Sequence, residues 1–151
     1  MLQPGAVAPP LGLVDIDSDE TVTEPWREGP VVLAFFKVTC PVCQMAAPKV
    51  AALAAGGARV VAIGEDPSPA LHTYRSRYAQ DVRTLTEPRP YPASDAYGVT
   101  AVPTLFLVDG EGRIADAVGG WDRDGWNRVA VAVGAGPVST PEDGLAAFRP
   151  G

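Results

Sequence analysis

The apolar run Val31-Val32-Leu33-Ala34-Phe35-Phe36 is followed, after Lys37-Val38-Thr39, by Cys40-Pro41-Val42-Cys43 and then by an Ala-rich stretch from Gln44 to Ala55. An unbroken run of this kind is expected of a central parallel strand covered on both faces. The Ala-rich stretch has helical composition, so the first sulfur stands where a buried strand ends and a helix begins. Helix N-termini present free N–H groups and a partial positive charge, which stabilise a thiolate. Two thiols one helical turn apart can close a disulfide and reopen it. The pattern therefore points to thiol–disulfide exchange, with Cys40 at the open helix tip as nucleophile and Cys43, one turn further in, as the resolving thiol.

These two cysteines are the only ones in 151 residues, which limits the other roles open to them. A disulfide closing so small a loop restrains the unfolded chain little and makes a poor staple. Structural zinc needs four N or S ligands, and two thiols with the single imidazole, His72, cannot complete such a site. No metal and no cofactor is expected. The net charge of −6 argues against a nucleic-acid partner, which would require a basic surface. No apolar stretch is long enough to span a membrane. Met1-Leu2-Gln3-Pro4 carries neither a basic n-region nor an apolar h-region, so the chain as it stands reads as cytoplasmic, or extracytoplasmic if a signal peptide has been removed.

Along the chain, residues 1–30 are punctuated by Pro and Gly, with a strand candidate at Leu13 to Ile16 and acids at Asp15, Asp17, Asp19, Glu20 and Glu24 that read as a solvated loop. Pro41 to Ala55 reads as a helix closed by Gly56-Gly57, with Pro48 expected to interrupt and kink it. Arg59 to Ile63 is a second buried strand. Asp66 to Ala79 is a helix with Leu71, Tyr74 and Tyr78 on one face, and Arg75, Arg77, Arg83 and Arg89 line its exposed side and the loop beyond. A short strand at Val82 to Leu85 precedes a Pro-rich loop and a helical turn at Ser94 to Tyr97. Thr104 to Val108 and Arg113 to Val118 form a hairpin about Asp109-Gly110-Glu111-Gly112. Asp122 caps a last helix whose apolar face is Trp126, Val129, Ala130 and Val133. The order β-α-β-α-β, hairpin, α predicts an α/β fold with a central mixed sheet flanked by helices. Residues 1–134 are expected to form a single domain and residues 135–151 a loop-like tail.

A strand ending in aromatics, Cys-x-x-Cys, a helix with proline five residues after the second cysteine (Pro48), and an apolar-Pro-Thr (Val102-Pro103-Thr104) before a hairpin recur in this order in the thioredoxin-like superfamily, which the chain resembles over about residues 5 to 133. Pro4-Gly5-Ala6-Val7-Ala8-Pro9 and the insertion between Ile63 and Val102 resemble the TlpA-type and peroxiredoxin-related branch more than the short thioredoxins. The resemblance implies a thioredoxin-like fold, and a cis Val102–Pro103 bond beside the cysteine pair whose neighbouring backbone pairs with substrate. It makes Val102, Pro103 and Thr104 substrate-binding candidates and places Gly119-Gly120 near the site; Thr39 and Pro41, which flank Cys40, join the substrate-binding set.

The departures bear on proton handling. Thr39 stands where thioredoxins carry tryptophan, Ala34 where they bury an aspartate, and Ala46 where many TlpA-type proteins place a glutamate. Lys37 and Glu65 follow strands at the same sheet edge and are the candidates for tuning the pair. Peroxiredoxins place Pro-x-x-x-Thr/Ser before the peroxidatic cysteine, and here those positions hold Leu33 and Lys37. The expectation is a monomeric thiol–disulfide oxidoreductase exchanging with protein disulfide or dithiol clients and with a thiol reductant or oxidant. The alternatives are a peroxiredoxin-like thiol peroxidase and a non-catalytic thioredoxin-fold binding protein.

Overall fold

The apolar strands and their flanking helices assemble as a mixed sheet between two helical layers in the computed structural model, which describes residues 1–151. In chain order the elements are β1 (Leu13–Asp15), β2 (Thr21–Val22), β3 (Val31–Phe36), α1 (Pro41–Ala55), β4 (Val60–Gly64), α2 (Ser68–Arg77), β5 (Arg83–Thr86), α3 (Pro92–Ala96), β6 (Thr104–Val108), β7 (Ile114–Gly119), β8 (Trp121–Asp122), α4 (Arg123–Ala132) and β9 (Phe148–Arg149). Seven strands form one sheet in the order β2-β1-β5-β4-β3-β6-β7. The pairs β3–β4 and β4–β5 are parallel and the others antiparallel. This is a thioredoxin-like fold. No helix is long and apolar enough to cross a membrane.

Alternation along the central strands explains why their sequences are apolar throughout. Val32, Ala34 and Phe36 of β3, with Val60 and Ala62 of β4, face a core completed by α1, α2 and α4. Val31, Leu33 and Phe35, with Val61 and Ile63, face a second core completed by the N-terminal segment, Trp26, Ala93 and Tyr97. A strand covered on both faces has no position left for a polar residue.

Several elements depart from the sequence expectation. Helix α1 runs unbroken through Pro48. The proline removes one bond from the ladder, but burial of Ala46, Ala47, Val50 and Leu53 around it outweighs that local loss. Helix α2 begins at Ser68 rather than Asp66, whose carboxylate is used elsewhere, and closes at Arg77 before Ala79 turns left-handed at φ 55°. The N-terminal acids are not simply solvated. Asp15 is buried and bonded by Arg83 Nε at 2.8 Å, and Asp17 is held bidentately by Arg75 at 2.7 and 2.8 Å. Two of the arginines read as an exposed face are thus the fasteners of this segment. Asp122 occupies the N-cap position of α4 but makes no side-chain capping bond, and its backbone pairs in β8 against Phe148.

Residues 135–151 pack back on the body instead of trailing as a loop. The Asn127 amide accepts from Val138 N and Ser139 N and donates to Ser139 O. Asp143 bonds Lys49 at 3.0 Å and Arg123 at 3.4 Å, Trp121 Nε1 donates to Ala146 O at 2.8 Å, and Arg123 N donates to Ala147 O at 2.9 Å. These fasteners have no periodicity that a sequence could reveal.

Candidate active site

Sheet register gathers the site. β3 runs parallel to β4 with Phe36 opposite Gly64, and antiparallel to β6 with Phe35 opposite Thr104, which in turn faces Gly119 of β7. The loop after β3, the loop before β6 and the turn after β7 therefore meet at one sheet edge, although more than sixty residues separate Cys40 from Val102. Gly120 N donates to Pro103 O at 2.7 Å, and Glu65 N to Phe36 O at 3.3 Å.

Cys40 is the N-cap of α1. Its sulfur accepts the Cys43 N–H at 3.1 Å, which is the place a Ser or Asp oxygen takes in an ordinary helix cap. The same Sγ donates to Val102 O at 3.4 Å. Cys40 is half-buried and Cys43 is only 2% exposed; both are free thiols. Burial, and then the hydrogen bond with Cys40, push the Cys43 thiol far above its ordinary value. The two sulfurs thus stand in different environments. One is at the surface on a helix tip, and the other is protonated and screened from water.

The loop carrying Cys40 is clamped at Val38. Asp66 Oδ2 accepts the Val38 N–H at 2.9 Å, and Gln44 Nε2 donates to Val38 O at 2.8 Å. Neither residue stood out in the sequence, since an acid after a strand and a glutamine in a first helical turn are both ordinary. Asp66→Ala should lower the exchange rate with a small disulfide about 3- to 10-fold and cost about 1 kcal/mol of stability, the worth of one such bond. Asp66→Asn should retain most of both, because its amide oxygen still accepts. Stopped-flow exchange and urea melts on the two variants would check this, and equal rates in the Ala variant and the parent would mean the clamp does not position Cys40.

Val102–Pro103 is a cis peptide. Pro103 and Thr104 are buried, and the Thr104 hydroxyl turns back to donate to Ala101 O at 2.7 Å. Thr39 and Pro41 are exposed on the rim. Lys37 and Glu65 line a cleft of about 200 Å³ with Val99, Thr100, Ala101 and Val102, so both candidates share a cleft with the residue whose carbonyl takes the Cys40 thiol. Neither side chain hydrogen-bonds a sulfur, although the Lys37 backbone favours the ionised Cys43 and offsets part of the effect of burial. The Ser94 hydroxyl lies 3.1 Å from Glu65 Oε1 and 2.5 Å from Glu87 Oε1. On the opposite flank, Thr39, Gln44, Tyr74 and Tyr78 line a second cleft. Burial first, and then the neighbouring Cys43 and Cys40, push the Tyr74 phenol up.

The profile of the AhpC/TSA family matches residues 4–117, which spans both the cysteine pair and the Val102–Pro103 edge. The chain belongs to the AhpC/TSA family. Among solved structures it is similar to the DsbF protein of MTB, determined in mixed oxidized and reduced forms, at 26% identity and TM-score 0.71, covering 82% of this chain and 94% of that one. It is similar in fold to the thioredoxin domain of a thiol-disulfide oxidoreductase from Bacteroides vulgatus, at 19% identity and TM-score 0.74, covering 88% of this chain and 99% of that one. A secreted disulfide oxidoreductase of Mycobacterium tuberculosis shares the fold at 18% identity and TM-score 0.67, with 81% and 95% covered. No curated protein sequence matches the chain. The family match stops at residue 117, so the turn at Gly119-Gly120, the last helix and residues 135–151 lie beyond it.

Proposed function

We propose that this protein is a thiol–disulfide oxidoreductase acting on protein disulfides, with Cys40 as nucleophile and Cys43 as resolving thiol. The contrast between the two sulfurs carries this reading. Cys40 is reachable and receives a helix N–H, whereas Cys43 is buried and held protonated. In the reducing direction the Cys40 thiolate attacks a client disulfide. A Cys40–client S–S bond forms, and the other client sulfur leaves as thiolate. Cys43 then loses its proton and attacks Cys40 Sγ, the intramolecular disulfide forms, and the second client thiol is released. Two electrons pass from the dithiol to the client, and an external thiol reductant restores the pair. The oxidising direction is the same sequence reversed.

Val102 and Pro103 present the backbone edge on which a client segment docks, with Thr39 and Pro41 on its rim. Thr104 supports the shape of that loop through its bond to Ala101. Lys37 and Glu65 tune the pair from the adjoining cleft: a cation there favours thiolate, and a carboxylate there relays the Cys43 proton to solvent. Both sulfurs and the docking edge come from one chain, so a monomer suffices. Leu33 is buried inside β3 and Lys37 offers no hydroxyl, which supports disulfide exchange over the peroxidase alternative.

The test is turnover of insulin disulfides and of bis(2-hydroxyethyl) disulfide with dithiothreitol as reductant, alongside peroxide consumption. Catalysed reduction of both disulfides is expected. Protein with two free thiols that catalyses neither would defeat the reading, and peroxide turnover exceeding disulfide turnover would favour the peroxidase.

A further inference from the structure

The edge proposed to receive clients already has an occupant. β9 pairs antiparallel with β8, with Trp121 opposite Arg149 and Asp122 opposite Phe148. Beyond Arg149 the chain crosses Gly120. A Cβ on Gly120 would meet Arg149 O at 2.9 Å, Gly151 N at 3.1 Å and Pro150 Cα at 3.3 Å. A Cβ on Gly151 would meet the Val102 carbonyl oxygen, its carbon at 2.9 Å and Val102 N at 3.0 Å. That oxygen is the acceptor of the Cys40 thiol. On the way, Arg149 Nη1 lies 3.6 Å from Met45 Sδ on the first turns of α1. Residues 148–151 therefore run from the Trp121 edge, with the Arg149 side chain reaching Met45 of α1, onto the backbone at Val102.

This segment is held lightly and tethered firmly. Phe148 is 59% exposed and Arg149, Pro150 and Gly151 are exposed, so they contribute little to the core. Just upstream, Arg123 Nη2 donates to Leu145 O at 2.7 Å and Asp143 bonds Lys49 and Arg123. A segment freed from Val102 stays attached nearby and returns at high effective concentration.

We propose that residues 148–151 are a strap that occupies the client-docking edge, so that an extended protein segment must displace it to lie beside Val102–Pro103, whereas a small disulfide reaches Cys40 without doing so. The proposal rests on the exchange reading above. The strap also indicates what fits the edge: an extended backbone with no side chain at the residue seated on Val102, where Gly151 leaves no room for a Cβ. An edge open one-tenth of the time raises the apparent dissociation constant of a protein client tenfold.

Two variants test this. Deleting Phe148–Gly151 keeps the bonds from Trp121 and Arg123 to Ala146 and Ala147. In the otherwise unaltered chain, Gly151→Val adds a Cβ that collides with Val102 and lifts residue 151 from it. For each, kcat/KM is measured with insulin and with bis(2-hydroxyethyl) disulfide, and thermal melts confirm folding. Both variants should raise kcat/KM for insulin about 5- to 10-fold and change that for the small disulfide less than about twofold. The peptide Ala-Ala-Phe-Arg-Pro-Gly, added to the deletion variant, should raise KM for insulin without altering kcat. If the deletion variant does not fold, Gly151→Val decides alone. Insulin rates unchanged, lowered, or raised in step with the small-disulfide rates would overturn the strap while leaving the exchange reading intact. Absence of small-disulfide turnover in the full chain would remove the exchange reading and the strap with it.

Discussion

In native protein at pH 7, iodoacetamide should label Cys40 first, with Cys43 at least about 100-fold slower. Only the thiolate reacts, and each unit by which a thiol's pKa exceeds the pH lowers its thiolate fraction tenfold. Burial and the bond to Cys40 hold the Cys43 thiol far above its ordinary value, and at 2% exposure it is also shielded from the reagent. Cys40→Ser should reduce exchange to the uncatalysed rate, since no other thiol remains at the surface. Cys43→Ser should still attack clients but fail to release them, so mixed disulfides should accumulate and appear on non-reducing electrophoresis. The same raised pKa sets the pH dependence of resolution. Cys43 must ionise to attack, so closure of the Cys40–Cys43 disulfide should accelerate about tenfold per pH unit between pH 6 and 8. Faster labelling of Cys43 than Cys40, or mixed disulfides trapped by Cys40→Ser instead, would reverse the assignment. A closure rate that does not change with pH would show that Cys43 does not lose its proton to solvent before it attacks.

Asp15→Ala should cost about 2 kcal/mol of stability, visible as a lower urea midpoint at pH 7. Asp15 is 5% exposed and accepts from Arg83 Nε at 2.8 Å, Asp17 N at 2.8 Å and Ser18 N at 3.3 Å. Removing the carboxylate leaves three donors without their acceptor at the β1–β5 edge. Arg83 is 39% exposed and rehydrates, which keeps the loss below that of a wholly buried pair. Burial by itself would raise the Asp15 pKa, but the Arg83 bond and the two N–H groups outweigh it, so the folded value lies below the ordinary 3.8. A depressed carboxylate contributes its stability in full above that ordinary value and loses it as the pH falls through the folded pKa. Between pH 4 and 2 the parent should therefore lose stability more steeply than Asp15→Asn. Parallel acid limbs in the two proteins would show that Asp15 is not the titrating group.

Much of the fold was legible from the residues because it depends on short-range patterning. The run Val31 to Phe36 and the strands at Val60, Arg83 and Thr104 were readable from apolar continuity and turn residues. Helix α1 was readable from Cys40 to Gly56. Local signals failed where long-range contacts overrode them. Pro48 does not break α1 because the core on either side holds the helix. The acidic loop is partly buried because Arg75 and Arg83, some sixty residues away, reach it. The clamp on Val38 draws Asp66 and Gln44 together from two elements, and neither carries a mark of its role.

The chain alone determined the chemistry available: two thiols one helical turn apart at a strand end, and no other thiol. Spacing of that kind is a local property, set by the rise of a helix and the alternation of a strand. Only the tertiary structure decided what surrounds the sulfurs. Register across β3, β6 and β7 brings Val102 to Cys40 and Gly120 to Pro103. Burial in the α1–α2 core separates the ionisation of Cys43 from that of an ordinary thiol. Docking of Phe148 to Gly151 across Gly120 and Val102 covers the edge between them. The first and last of these depend on backbone groups and small residues meeting across more than a dozen positions of sequence, and backbone groups are the same in every residue, so nothing in the order of side chains announces where they will meet.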